Sequence, residues 1–290
     1  MTFSIAAWDP TVESGPEWGV AVASKFLSVG AAVPWVQANA GAIATQAMAN
    51  LSYGPDGLRM LAEGDEARSV VAALTGADDH FQHRQIGIVD ARGGAESFTG
   101  TECFEWAGGV VGDGFCCQGN ILTGPDVVAA MKDAFEDSRG ELAVRLLAAL
   151  RAGDAAGGDR RGRQSAAVYI AREDGGYGGA IDRALDLRAD DHHDPVFELE
   201  RLFDLHRLYF PRPEDLEFVD VDEPLGAELR QLLTEIGYEP GSGAGYDGEL
   251  RSALFAYSGT ENLEERWTDE EKIERGVLEC LRSQAPSRKR

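Results

Sequence analysis

Strand-like and helix-like segments arrive in batches along the first 171 residues, and this order narrows the fold more than any other feature. Two strands come first. Phe3-Ser4-Ile5-Ala6-Ala7-Trp8 closes at Asp9-Pro10, and a loop through Gly15-Pro16 leads to Trp18-Gly19-Val20-Ala21-Val22-Ala23. A small-residue strand follows over residues 40–46. Gly54-Pro55-Asp56-Gly57 then opens a helix through Leu58, Met60 and Leu61, and a second helix over 65–74 keeps Val70, Val71 and Leu74 on one face. Strands return over 84–90, 96–100, 106–111 and 114–118. Helices over 126–137 and 141–152 follow, each with an acidic residue in its first turn, where the helix dipole favours it. A strand over 165–171 ends the series after a glycine–arginine loop. Rossmann units alternate single strands with single helices. Batches of strands separated by helix pairs predict an α+β domain with two sheets between helix layers.

This core is expected to end near Phe210. Pro211-Arg212-Pro213-Glu214-Asp215 is proline-rich and acidic, so the predicted division is a domain over 1–212, a linker over 213–222 and a small helical domain over 223–290. The last part holds an amphipathic helix over 225–236, a glycine-rich loop over 237–248 and two further helical stretches. Its Ser287-Arg288-Lys289-Arg290 tail is expected to fray. No apolar run approaches the roughly 20 residues that cross a bilayer. Met1-Thr2-Phe3-Ser4-Ile5 enters a strand without the basic n-region of a signal peptide. The expectation is a cytoplasmic protein with no membrane partner.

Charge removes another class of function. The net charge is −23, from 50 acidic and 27 basic residues, and only Lys25, Lys132, Lys272 and Lys289 are lysines. Such a surface suits a salt-loaded, halophilic cytoplasm, where a Debye length of about 3 Å at 1 M screens self-repulsion. Nucleic acid is excluded as a partner, because no basic stripe could displace its counterions. Cys103, Cys116, Cys117 and Cys280 lack CxxC spacing, and the adjacent pair would face opposite sides of a strand. They read as small buried hydrophobes. Asp191-His192-His193-Asp194 has a metal site's composition, but adjacent histidines rarely share an ion and Pro195 points to a helix-opening turn. No metal and no cofactor is called for.

Thr2 is the candidate nucleophile. Removal of Met1 would leave a threonine with a hydroxyl and a free α-amine, and an amine of pKa about 7.7–8.0 can act as the base that a weak hydroxyl nucleophile needs. The plain alternative is an ordinary strand residue after an ordinary start. Lys25, after the second strand, would lower the pKa of the amine or hydroxyl if it sat beside them; otherwise it is a solvated strand end. Gln118 and Asn120 could donate to an oxyanion, or cap the turn before the helix at Gly124-Pro125. Asp159, Arg160, Arg163, Gln164 and Ser165 lie in a loop whose glycines let backbone approach a ligand. Arginine's fork matches a carboxylate, so the expected substrate is a small molecule that can bear one. The competing reading pairs these charges internally with Asp182 or Asp190. Ser24 and Ser165 lack a nucleophile-elbow motif.

Several of these segments carry a family likeness. Thr2-Phe3-Ser4-Ile5, Gly19-Val20-Ala21-Val22-Ala23-Ser24-Lys25-Phe26, Ala44-Thr45-Gln46-Ala47, Ser52-Tyr53-Gly54-Pro55, Gln118-Gly119-Asn120 and the run from Gly157 to Ala167 together resemble the domain-of-unknown-function 1028 family. That family is placed in the N-terminal-nucleophile hydrolase superfamily. The resemblance covers about residues 2–210 and implies a four-layer αββα sandwich, with Gln46 carried as a substrate-binding candidate. Leu229-Arg230-Gln231-Leu232-Leu233, Ile236-Gly237-Tyr238 and Gly245-Tyr246-Asp247-Gly248 resemble peptidoglycan-binding domains over about 222–282. Glycan binding does not follow, since packing or organising a homo-oligomer would use the same module. The leading expectation is an amidohydrolase for a small carbon–nitrogen bond. Its rivals are a ligand-binding protein without catalysis and an assembly factor on the same fold.

Overall fold

The computed structural model describes residues 2–12 and 15–287. Met1, and with it the expected processing site, lies outside the described residues, as does the 288–290 part of the expected tail. The chain divides into two compact units between Arg201 and Leu202.

The first unit is α+β with antiparallel sheets. β1 (Thr2–Asp9), β2 (Glu17–Ser24), β3 (Pro34–Gln37) and β4 (Gly41–Ala47) precede α1 (Tyr53–Ala62) and α2 (Ala67–Gly76). β5 (Arg84–Asp90), β6 (Ala95–Thr99), β7 (Gly108–Gly112) and β8 (Phe115–Asn120) precede α3 (Asp126–Asp137) and α4 (Leu142–Ala155). β9 (Ser165–Ala171) and β10 (Arg183–Ala189) complete the strands, and α5 (Pro195–Tyr209) contains the division between units. Six strands pair in the order β10-β9-β2-β1-β8-β7, and four in the order β3-β4-β5-β6.

Alternation along β1 sorts its side chains to two environments. Phe3 points to α4, where a Cβ on Gly153 would come within 3.3 Å of its ring. Further along, Arg145 of α4 reaches Asp9 at 3.5 Å and lies over the Phe135 ring of α3. Gly19 of β2 is a close approach on the same side: a Cβ there would sit 2.8 Å from Leu146 of α4. On the opposite side, Ala6, Val20, Val22 and Cys116 join Ala42, Ala44 and Val89 of the other sheet in one apolar cluster. That second sheet buries Ile43, Ile86 and Ile88 against Leu61 of α1 and Val70 and Val71 of α2. Cys116 and Cys117 are both fully buried, and burial pushes the Cys116 thiol up to about 12.

The second unit has its own core. β11 (Phe218–Asp220) pairs with β12 (Lys272–Glu274), and α6 (Glu223–Glu235), α7 (Gly248–Thr260) and α8 (Arg275–Ser287) surround Leu229, Leu233, Leu250, Leu254, Tyr257 and Leu281. Asp222 and Asp247 cap α6 and α7, accepting from Leu225 N and Leu250 N at 2.9 Å. A nearly buried Arg266 ion-pairs with Glu274 at 2.7 Å and donates to the carbonyls of Arg207 and Leu208. Residues 218–220, expected in the linker, are thus strand. Their pairing with 272–274 spans more than fifty residues, which local pattern does not reveal. Among the described residues no helix is long and apolar enough to cross a membrane.

Candidate active site

Thr2 begins β1, which lies inside the six-stranded sheet, and pairs with Asn120 at the end of β8. Only 5% of Thr2 is exposed. Its hydroxyl lies 3.1 Å from that of Ser24, the last residue of β2, and Ser24 pairs in turn with Ser165 at the start of β9. Strand ends therefore set a polar row across one end of the sheet.

Behind this row lies a network of buried amides from both sheets. Gln118 Nε2 donates to Ser4 Oγ at 2.7 Å, and Ser4 Oγ donates to Gln46 Oε1 at 2.7 Å. Gln46 Nε2 donates to Gln85 Oε1 at 2.8 Å, as does Asn120 Nδ2 at 3.0 Å. Gln85 Nε2 anchors the set on the Gly119 carbonyl at 2.7 Å and Thr99 Oγ1 at 2.9 Å. A side chain at Gly87 would enter this space, since a Cβ there would stand 2.1 Å from Gln118 Oε1. Amides bonded in this way hold a single arrangement, because rotating one strands a donor or acceptor in a low-dielectric interior. Within the set, buried Gln118 Oε1 has no hydrogen-bond partner among the described residues.

The glycine–arginine loop meets the same end. Asp159 accepts from the Lys25 backbone N–H at 2.8 Å and from Arg161 N at 2.8 Å, so its buried carboxylate ties the end of β2 to the loop. Lys25 Nζ donates to the Arg163 carbonyl at 3.2 Å. Arg163 grips Asp154 through Nε at 2.8 Å and Nη2 at 2.7 Å, which raises its pKa further. Gln164 donates to Asp191 at 3.2 Å. Ser165 Oγ donates to the Phe26 carbonyl and accepts from Val29 N, holding the loop after β2. Arg160 is exposed, with its N–H on the Ile121 carbonyl at 3.2 Å. Internal pairing of the loop's charges does occur, but with Asp154, Asp159 and Asp194 rather than Asp182 or Asp190. Asp182 instead caps the Asp174 N–H in the β9–β10 hairpin.

A cavity of about 390 Å3 opens here, lined by Phe3, Ala23, Ser24, Asp154, Asp159, Arg163, His193 and Val196 among others. The structure thus brings Thr2, Asn120, Gln118 and Gln46 into one polar cluster, with Ser24 between it and the cavity. Asp159, Arg163 and Gln164 belong to the adjoining loop, which meets Lys25 just after β2 and runs into Ser165 at the start of β9. His192 Nδ1 accepts from Asp194 N at 3.1 Å in the turn before α5, and among the described residues no group of three acidic, histidine or cysteine side chains could hold a metal ion. Ser4, Gln85 and Asp154 are site residues that sequence reasoning missed. Gln85 left a signal: it is the one amide in the apolar run Gln85-Ile86-Gly87-Ile88-Val89.

A second clip holds the loop after β4. Asp78 accepts from Arg84 Nε at 2.9 Å, Tyr53 Oη at 3.0 Å and Asn50 Nδ2 at 3.2 Å. Arg84 holds the Asp78 carboxyl far below the usual carboxylate range, while burial and the bond to Asp78 push the Tyr53 phenol up.

The first unit is therefore an antiparallel α+β domain with a buried threonine at the head of an inner strand and amides locked behind it. The chain belongs to the domain-of-unknown-function 1028 family: the model of that family of unknown function matches residues 2–199. A second model, described as "Putative peptidoglycan binding domain", matches residues 209–281. A crystal structure of a Silicibacter pomeroyi protein of the same family of unknown function is similar at 33% identity and a TM-score of 0.64, over 71% of this chain and 86% of that one. No curated protein matches this chain.

Proposed function

We propose that the first unit is an N-terminal-nucleophile amidohydrolase, a four-layer αββα sandwich that cleaves a small amide-type carbon–nitrogen bond. The position of Thr2 carries this reading: it heads an inner strand, with its hydroxyl 3.1 Å from Ser24 and Ser24 lining a cavity. The helix pairs packed on separate sheets support the layering.

Once Met1 is removed, the Thr2 hydroxyl attacks the carbonyl carbon. Its α-amine takes the hydroxyl proton and passes it to the departing nitrogen, leaving an ester on Thr2. Water then attacks that ester and gives its proton to the same amine, which returns it to the departing Thr2 oxygen as the acid is released. Asn120, directly across from Thr2, is better placed than Gln118 to offer an N–H to the oxyanion. Gln118 sits two residue pairs deeper and holds Ser4. Amine release from a panel of small amides is the test. Thr2→Ala should lose turnover by at least about a thousandfold while the melting temperature barely moves, and Thr2→Ser should keep part of it. Full turnover in Thr2→Ala would refute the mechanism.

A further inference from the structure

Three loops leave the sheets at the Thr2 end, and each carries large apolar side chains into water. Phe26 and Leu27 follow β2, Met48 and Leu51 follow β4, and Phe104 lies between β6 and β7; all five are between 48% and 66% exposed. These loops are pinned. The Phe26 carbonyl accepts from Ser165 Oγ, the Met48 carbonyl from the Arg84 guanidinium, and the Phe104 carbonyl from Ile121 N at 2.9 Å. Apolar groups held in water by a fixed backbone gain most when a ligand covers them. Backbone strain collects at the same end. Ala47, after Gln46, has a φ of 70°, and Ile121, after Asn120, has a φ of 50°, a left-handed conformation that is costly for a β-branched residue.

Charge adds a second, independent sign. In a chain of net −23, arginines of the first unit commonly meet a carboxylate, as Arg84, Arg161 and Arg163 do. Lys25, Arg68, Arg92, Arg139 and Arg160 of this unit are exposed and, among the described residues, form no ion pair with a carboxylate; of these, Lys25 and Arg160 follow or bond the strand ends that flank Thr2. Lys25 follows Ser24 on one flank of Thr2. Arg160 is bonded through its backbone to Ile121 on the other flank. Two cations without a carboxylate in so acidic a chain favour an anion between them.

We infer that this rim binds an amide joining an apolar acyl group to a carboxylate, as in an N-acylated amino acid. The inference rests on the reading of Thr2 as nucleophile for its location, and adds the chemistry on either side of the scissile bond. Hydrolysis of such an amide takes one water and releases a fatty or aryl acid and a free amino acid.

Binding to the full-length Thr2→Ala chain separates this inference from the catalytic one. Calorimetric titration with N-octanoylglycine, N-acetylglycine and N-octanoylglycine methyl ester is the measurement. The octanoyl acid should bind at least about tenfold tighter than either of the other two, and Arg160→Gln should remove the preference for acid over ester. Phe104→Ser should weaken the octanoyl acid and leave the acetyl acid unchanged. If Thr2→Ala binds in this pattern but the native chain releases no glycine, the rim stands and the nucleophile reading falls. If the native chain cleaves other amides while none of the three probes binds, the rim assignment is overturned and the nucleophile stands. A concentration-dependent dimer that Phe104→Ser disperses, with probe binding unchanged, would give the rim to a second copy and likewise overturn the inference.

Discussion

The space between the two sheets is built in two halves from the same strands. Toward one end, Ala6 of β1, Cys116 of β8, Ala44 of β4 and Val89 of β5 share an apolar cluster. Two or four residues along, the same faces present Ser4, Gln118, Gln46 and Gln85 joined by hydrogen bonds. The first half stabilises at about 25 cal/mol per Å2 of apolar surface buried. The second exchanges bonds to water for bonds to itself, a net gain of only about 1 kcal/mol per bond, with a larger penalty if any partner is lost. Fixing geometry is what such a network does well, and the residue at its edge is Thr2.

This contrast can be broken by truncation. Gln85→Met removes the acceptor for Gln46 and Asn120 and the donor to Gly119, so it should destabilise by about 4 kcal/mol in urea unfolding. Val22→Ala in the apolar half should lose about half as much. Equal losses, or a neutral Gln85→Met, would mean that the amides position nothing. Gly87→Ala drives the Gln118 amide, whose Oε1, Cδ and Nε2 would stand 2.1, 2.5 and 2.7 Å from the new Cβ, away from Ser4 and should destabilise by about 3 kcal/mol. Salt acts on the surface and should spare the contrast. With a net charge of −23, stability should rise from dilute to molar potassium chloride by a similar increment in the native chain and in Gln85→Met. A flat series would remove the halophilic reading.

Legibility in the sequence followed local pattern. β5, α3 and β9 fall on the residues predicted, because periodicity and flanking turn residues mark both ends. β3 was hidden by Pro34 and its brevity. β10 was hidden by Arg183, Asp186 and Arg188, whose charges belong to a half-exposed edge strand but look like a loop. Thr2, Gln46, Gln118 and Asn120 could be picked out one by one, yet their meeting depends on the register of β1 with β8 and on sheet packing. Arg163 looked free for a substrate carboxylate because Asp154, its partner, lies across a glycine turn at the end of α4.

Thr2 can act as its own base only with a free amine. Mass spectrometry of the N-terminal peptide of the protein purified from its natural source measures this directly. The result predicted is a peptide that begins at Thr2 with an unmodified α-amine. A peptide that retains Met1, or carries a blocked Thr2, would contradict the nucleophile reading and leave the buried threonine as an ordinary residue at the head of a strand.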